Sequence, residues 1–151
     1  MRIPFGATSL VLSATLASGA TMPCISESDD GTLTIQRSGE QAPREGSPEN
    51  FTGAVRVDPT LKEMPPSRLS GGLVTFEPGA RTAWHTDPFG QTMVVTAGAG
   101  RVQQWDGPMQ EIRPGDVVRI PPGVKHWHGA LPTVGVNHIA LSEVIDGKVV
   151  D

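Results

Sequence analysis

Glycine and proline break this chain at such short intervals that little room is left for a long helix. They number 18 and 14 among 151 residues and are spread along the whole length. Proline fixes φ and removes a backbone donor, and glycine carries an entropic cost inside regular elements, so both gather where structure turns. Between the interruptions lie short apolar or alternating runs at residues 52–57, 72–76, 93–97, 101–105, 116–120 and 136–145. They are separated by Glu77-Pro-Gly79, Asp106-Gly-Pro108, Arg113-Pro-Gly115 and Pro121-Pro-Gly123. Proline followed by glycine suits a type II turn, because proline supplies the negative φ and glycine accepts the positive one. Short strands with such turns indicate an antiparallel sandwich or barrel, and a jelly roll is the simplest closed form. The expected fold class is therefore all-β and single-domain. A helical bundle, a coiled coil and a long doubly wound α/β fold are excluded, as is a collagen-like chain, since the glycines have no period of three.

Charge narrows the partners. Twelve basic and sixteen acidic residues give a formal charge of −4, with no block of one sign. Neither nucleic acid nor an anionic membrane is an expected partner; a small-molecule substrate is. The single cysteine, Cys24, has no internal partner for a disulfide.

The first twenty residues read differently. Arg2 precedes a mostly apolar run from Phe5 to Ala17, and Ser18-Gly19-Ala20 supplies small residues where a signal peptidase cuts. Residues 1–20 are read as a secretory signal with cleavage near Ala20, which implies a periplasmic or secreted protein. The run is too short for a membrane span. Residues 21–50 read as a polar linker, in which the alternating stretch 32–36 is a candidate edge strand. The barrel is expected over 51–146, with a C-terminal tail at 147–151.

All four histidines, His85, His126, His128 and His138, lie in the second half. His85 and Asp87 are two apart, so on an extended chain they share a face. Gln91 follows the Pro88-Phe-Gly90 turn and can return to that face, and His126 would arrive from another strand. Two imidazoles, a carboxylate and an amide oxygen suit a first-row divalent ion: Mn, Fe, Ni or Zn. Two histidines and a carboxylate are also the ligand set of non-haem iron oxygenases. His128 shares a face with His126 and reads as a hydrogen-bond partner of the ligands. Trp84 and Trp127 read as packing around the barrel, and Lys125, Glu111 and Asp116 as solvated turn residues. Val74, Met93, Val95 and Ile139 read as core, with a pocket wall as the alternative.

These residues carry a resemblance. Gly79, His85, Asp87, Gln91 and Gly98 fall at the spacings of the first cupin motif, G-x5-H-x-H-x3,4-E-x6-G. Gly115, Pro121, Gly123 and His126 fall at those of the second, G-x5-P-x-G-x2-H-x3-N, with Ala130 where Asn is usual. The chain resembles the cupins over residues 51–146. Within them, Thr75-Phe-Glu-Pro-Gly-Ala-Arg-Thr-Ala-Trp-His85 and Lys125-His-Trp-His-Gly-Ala130 look like the bacterial cupin hydroxynitrile lyases, whose relatives include carboxymuconolactone-decarboxylase-like cupins. The resemblance implies a double-stranded β-helix barrel and a metal position at His85, Gln91 and His126. It implies Mn first, with Fe, Zn or Ni as alternatives, and His138 as a further active-site residue. It also implies a homo-oligomer, a dimer or tetramer, and cleavage of cyanohydrins to an aldehyde and cyanide.

Asp87 departs from the motif, which has a second histidine there. The carboxylate either supplies an oxygen ligand and lowers the site's charge by one, or falls short and leaves a weak three-ligand site or none. Three functions follow from the same residues. They are a metal-dependent lyase with His138 as base, an Fe(II) oxygenase, and a barrel that binds a small molecule without turnover.

Overall fold

A computed structural model describes residues 31–147, and the leader expected over 1–20 lies outside them. The compact unit begins at Ile35. Its strands are β1 (Arg44–Glu45), β2 (Phe51–Thr52), β3 (Val55–Leu61), β4 (Leu69–Phe76), β5 (Arg81–Thr82), β6 (Gln91–Gly98), β7 (Gly100–Gln104), β8 (Met109–Ile112), β9 (Val117–Ile120), β10 (His126–Ala130) and β11 (Val136–Glu143). They form a six-stranded sheet in the order β1-β3-β4-β11-β6-β9 and a five-stranded sheet in the order β2-β5-β10-β7-β8. All pairings are antiparallel. The all-β, single-domain expectation is met, and among the described residues no helix is long and apolar enough to cross a membrane.

The turns follow from their chemistry. Gly79, Gly115 and Gly123 have φ of 79°, 95° and 71°. Each turn closes with an amide donating three residues back: Ala80 N to Glu77 O at 2.9 Å, Asp116 N to Arg113 O at 3.0 Å, and Val124 N to Pro121 O at 3.2 Å. The Asp106-Gly-Pro108 turn differs. There Asp106, not Gly107, takes positive φ (60°), which a short polar side chain tolerates.

Alternation sets the core. Val74 and Phe76 of β4, Met93 and Val95 of β6 and Val136 of β11 point inward. Val55, Val102, Ile112, Ile120, Ala80 and Ala130 meet them. Val74, Met93 and Val95 are therefore core residues, but Ile139 stands on the opposite face of β11 from buried His138.

Two local expectations are corrected. Residues 32–36 form no strand, and the edge of the larger sheet is made by Arg44–Glu45, paired with Val57 and Arg56. A side chain's alternation cannot by itself supply the backbone partner a strand needs. The run at 52–57 is split, because Gly53 (φ 80°) separates β2 from β3, and β3 continues through Pro59. Proline is tolerated there because β1 is too short to demand its missing N–H. Strand β8, rich in polar residues, was not among the expected runs.

Candidate metal centre

The site is assembled by backbone first. His85 sits just beyond β5 and pairs with His126 at the start of β10, each amide donating to the other's carbonyl at 3.0 Å. This places the two imidazoles on one face, with centroids 4.2 Å apart. Asp87 opens the following turn, and its carbonyl accepts from Gly90 N at 3.0 Å and from Gly123 N at 2.9 Å. One oxygen thus ties the loop carrying Asp87 to the loop that leads into His126. Gln91 begins β6 directly after this turn.

The side chains are oriented by their hydrogen bonds. His85 Nδ1 lies 3.0 Å from Ala83 O, and His126 Nδ1 lies 2.9 Å from Val124 O. A carbonyl only accepts, so both Nδ1 atoms carry the proton and both Nε2 atoms present lone pairs. Asp87 is 1% exposed, and its Oδ2 lies 3.8 Å from His85 Nε2 and 3.6 Å from His126 Nε2. Gln91 Nε2 donates to Asp87 Oδ1 at 3.4 Å, which leaves its own Oε1 as a free acceptor.

Asp87 Oδ2 and the Nε2 atoms of His85 and His126 thus gather with no proton between them. Asp87 Oδ2, Gln91 Oε1 and His126 Nε2 have no hydrogen-bond partner among the described residues. Leaving such a group unmatched costs roughly 1–3 kcal/mol each. Separations of 3.6 and 3.8 Å are too long for hydrogen bonds. Two donors sharing one cation at about 2.1 Å stand roughly 3.0–3.5 Å apart, so a slight contraction would seat an ion. The residues fit a divalent metal: nitrogen and oxygen donors, no thiolate, and one negative charge.

His128 is closer to this centre than a purely supporting residue needs to be. His85, His126 and His128 offer ring nitrogens all within 4.8 Å of one another, a group that can hold a metal ion. The His126 and His128 rings are stacked at 5.8 Å, because both point inward from the same strand. Among the described residues His128 Nδ1 has no hydrogen-bond partner. Its backbone amide donates to Thr82 Oγ1 at 3.1 Å. Thr82 is a buried hydroxyl that sequence reading passed over, since nothing in a lone threonine marks it.

His138 enters from the opposite sheet. It is 1% exposed, stacks on Phe76 at 5.5 Å and meets the edge of His128 at 5.0 Å. The unbroken alternation of β11 puts it on the inward face with Val136, and the register shift opposite it leaves the extra residue in β6, at Thr96. Neither ring nitrogen has a hydrogen-bond partner among the described residues. An open cavity of about 1180 Å³ is lined by His85, Asp87, Gln91, His128 and His138, with Phe51, Val74 and Thr82 among its walls.

Burial dominates the electrostatics. It pushes His126 and His138 down to about 4; His126 is lowered further by His85 and partly restored by its bond to Val124 O. His128 is held well below the ordinary imidazole value by burial first and then by the other three histidines. Burial raises the Asp87 carboxyl, and His85 opposes that rise. His126, His128 and His138 are neutral at neutral pH, the state in which an imidazole ligates a cation or accepts a proton.

The tryptophans stand behind the site. Trp127 points out of β10 between the two inward histidines, and its Nε1 donates to Gln103 Oε1 at 2.9 Å. Trp84 meets Trp105 at 4.9 Å and Trp127 at 6.4 Å, and also reaches the cavity wall. Lys125 lies over the Trp105 ring at 4.0 Å, outside the cavity. Glu111 pairs with Arg113 at the surface, and Asp116 Oδ2 caps the turn by accepting from Arg113 N.

Comparison with known proteins agrees with this geometry. Residues 72–133 match the cupin domain. The chain is 54% identical over 119 residues to the (R)-mandelonitrile lyase of Granulicella tundricola, covering 79% of this chain and 91% of that protein. Among solved structures it resembles a cupin-like protein of Thermotoga maritima, with a TM-score of 0.67 and 38% identity over 79% of this chain and 87% of the other. A cupin 2 conserved barrel domain protein from Rhodopseudomonas palustris has a TM-score of 0.61 at 14% identity over 69% and 72% of the two chains, a likeness of fold alone.

Proposed function

The chain belongs to the cupin family, and on that premise we propose that it is a metal-dependent lyase cleaving cyanohydrins to an aldehyde and cyanide. One observation carries the reading: Asp87 Oδ2 stands between the Nε2 atoms of His85 and His126, and His85, Asp87 and Gln91 line one cavity with a buried, unpartnered His138. The 54% identity to a mandelonitrile lyase supports it.

In this reading His85, Asp87, Gln91 and His126 hold a divalent cation, manganese first, iron second, with zinc or nickel also suited to the donors. Such an ion supplies Lewis-acid stabilisation of negative charge on the cyanohydrin oxygen. His138, neutral through burial, accepts the hydroxyl proton. The C–C bond breaks with its electron pair on cyanide as the carbonyl forms, and the proton taken by His138 leaves with cyanide as HCN. His128 and Phe76 hold the His138 ring between them. The protein loaded with manganese should release cyanide from mandelonitrile above the metal-free control; equal release would remove the lyase reading.

One observation favours a second reading. Asp87 Oδ2 stands near both His85 and His126 Nε2, the arrangement of a two-histidine, one-carboxylate iron site. Oxygen uptake by the Fe(II)-loaded protein with candidate small substrates would favour an oxygenase. The leader at 1–20 makes this an exported protein in our reading, tested by cell fractionation. A homo-oligomer, tested by sedimentation, completes it.

A further inference from the structure

Thr82 is buried, 6% exposed, at the end of a two-residue strand. Its neighbour across the sheet is Phe51, and both line the cavity that holds His128 and His138. The Thr82 oxygen accepts the His128 amide proton at 3.1 Å. That bond fixes the oxygen and leaves the hydroxyl hydrogen to be donated elsewhere. No acceptor for it stands among the described residues.

The cavity therefore pairs a buried acceptor with a buried donor. His138 offers ring nitrogens without partners, and Thr82 offers a hydroxyl proton. A cyanohydrin has the complementary set: a hydroxyl that donates and a nitrile nitrogen that accepts. We infer that Thr82 is a substrate-contacting residue, whose hydroxyl donates to the nitrile nitrogen and stabilises the charge gathering on departing cyanide. This deepens the lyase reading and rests on it. While the C–C bond breaks and its electron pair moves to the cyanide carbon, the negative charge spreads to nitrogen, so the hydrogen bond strengthens along the reaction. The proton that balances the charge is the one taken by His138.

The test compares Thr82→Val with Thr82→Ser, since valine keeps the shape and serine keeps the hydroxyl. Both variants are first shown by circular dichroism and metal content to match the wild type. Thr82→Val should lose about ten- to a hundredfold in kcat/KM for mandelonitrile, mostly in kcat, a range expected for one hydrogen bond to developing charge. Thr82→Ser should stay within about threefold. Independently of turnover, phenylacetonitrile, which has no hydroxyl to lose, is bound as a probe and its C≡N stretch recorded by infrared difference. Hydrogen bonding raises that stretch in the wild type and Thr82→Ser, and the rise should vanish in Thr82→Val. An identical stretch in the wild type and Thr82→Val overturns the assignment and leaves the His128 ring as the donor. Failure of the probe to bind overturns it also. A wild type that shows the stretch but releases no cyanide removes the lyase reading while leaving the nitrile contact standing.

Discussion

His85 and His126 are bound to each other twice through the backbone, each amide to the other's carbonyl at 3.0 Å, and their rings lie 4.2 Å apart on the same side. The bond from each Nδ1 to a carbonyl two residues earlier, Ala83 for His85 and Val124 for His126, fixes which nitrogen faces inward. A pair preorganised in this way has little left to lose when it takes up a cation.

Removing one of the pair should therefore remove the ion. His126→Ala is expected to lower the affinity for manganese by more than a hundredfold, beyond the 10–100-fold typical of supporting residues. Competition with a chelator of known affinity measures it. A variant that retains one metal per chain at wild-type affinity would place the ion elsewhere.

In the proposed centre Asp87 supplies the one negative charge. Asp87→Asn keeps the oxygen and removes the negative charge, so affinity for manganese should fall by about tenfold or more. Asp87→His restores the histidine of the family motif and should shift preference toward zinc and nickel. With one negative charge fewer at the ion, it should also raise cyanide release severalfold. Metal competition and initial rates check both.

Acid should weaken the metal-free protein. The folded pKa of His138 is lowered to about 4, against an ordinary 6.5. Between those values the unfolded chain binds more protons than the folded one, so stability rises with pH through this window. It is fully present above about 6.5 and is lost as pH falls toward about 4. At about 1.4 kcal/mol per pH unit the contribution is on the order of 3 kcal/mol. Urea unfolding at pH 7, 5.5 and 4.5 should show a flatter dependence for His138→Gln than for the wild type. His126 and His128 act in the same direction in both proteins. Cyanide release should fall over the same limb, through about pH 4, as His138 becomes protonated.

Two glycines should respond differently to alanine. At Gly98, φ is 75° and an added Cβ would meet the Gly135 carbonyl, so both strain and backbone collision oppose it. At Gly123, φ is 71° but the space is open. Gly123→Ala is expected to cost about 1 kcal/mol and Gly98→Ala several, enough to prevent folding. Thermal melting distinguishes them.

Much of this was legible because turn chemistry is local. The proline–glycine pairs announce three turns, one of which leads into His126, and the Pro88-Phe-Gly90 turn brings Gln91 back beside Asp87. What escaped depends on partners distant in sequence. Residues 32–36 alternate well yet form no strand, while Arg44–Glu45, with no pattern at all, finds Val57 and Arg56. Strand β8 hides its single buried residue, Ile112, behind exposed Met109, Gln110 and Glu111. Position along β10 puts His128 on the face of His126, but only the fold brings its ring within 4.8 Å of His85. Thr82 matters through a bond spanning 46 residues.

The carbonyl of Asp87 fastens its own loop to the loop that leads into His126 by accepting from Gly90 and Gly123. That fastening uses an atom every amino acid possesses. Histidine, aspartate or another residue can occupy position 87 while the same two amides stay engaged. Metal preference can therefore drift by single substitutions over evolutionary time without the barrel having to be refashioned around each new ion.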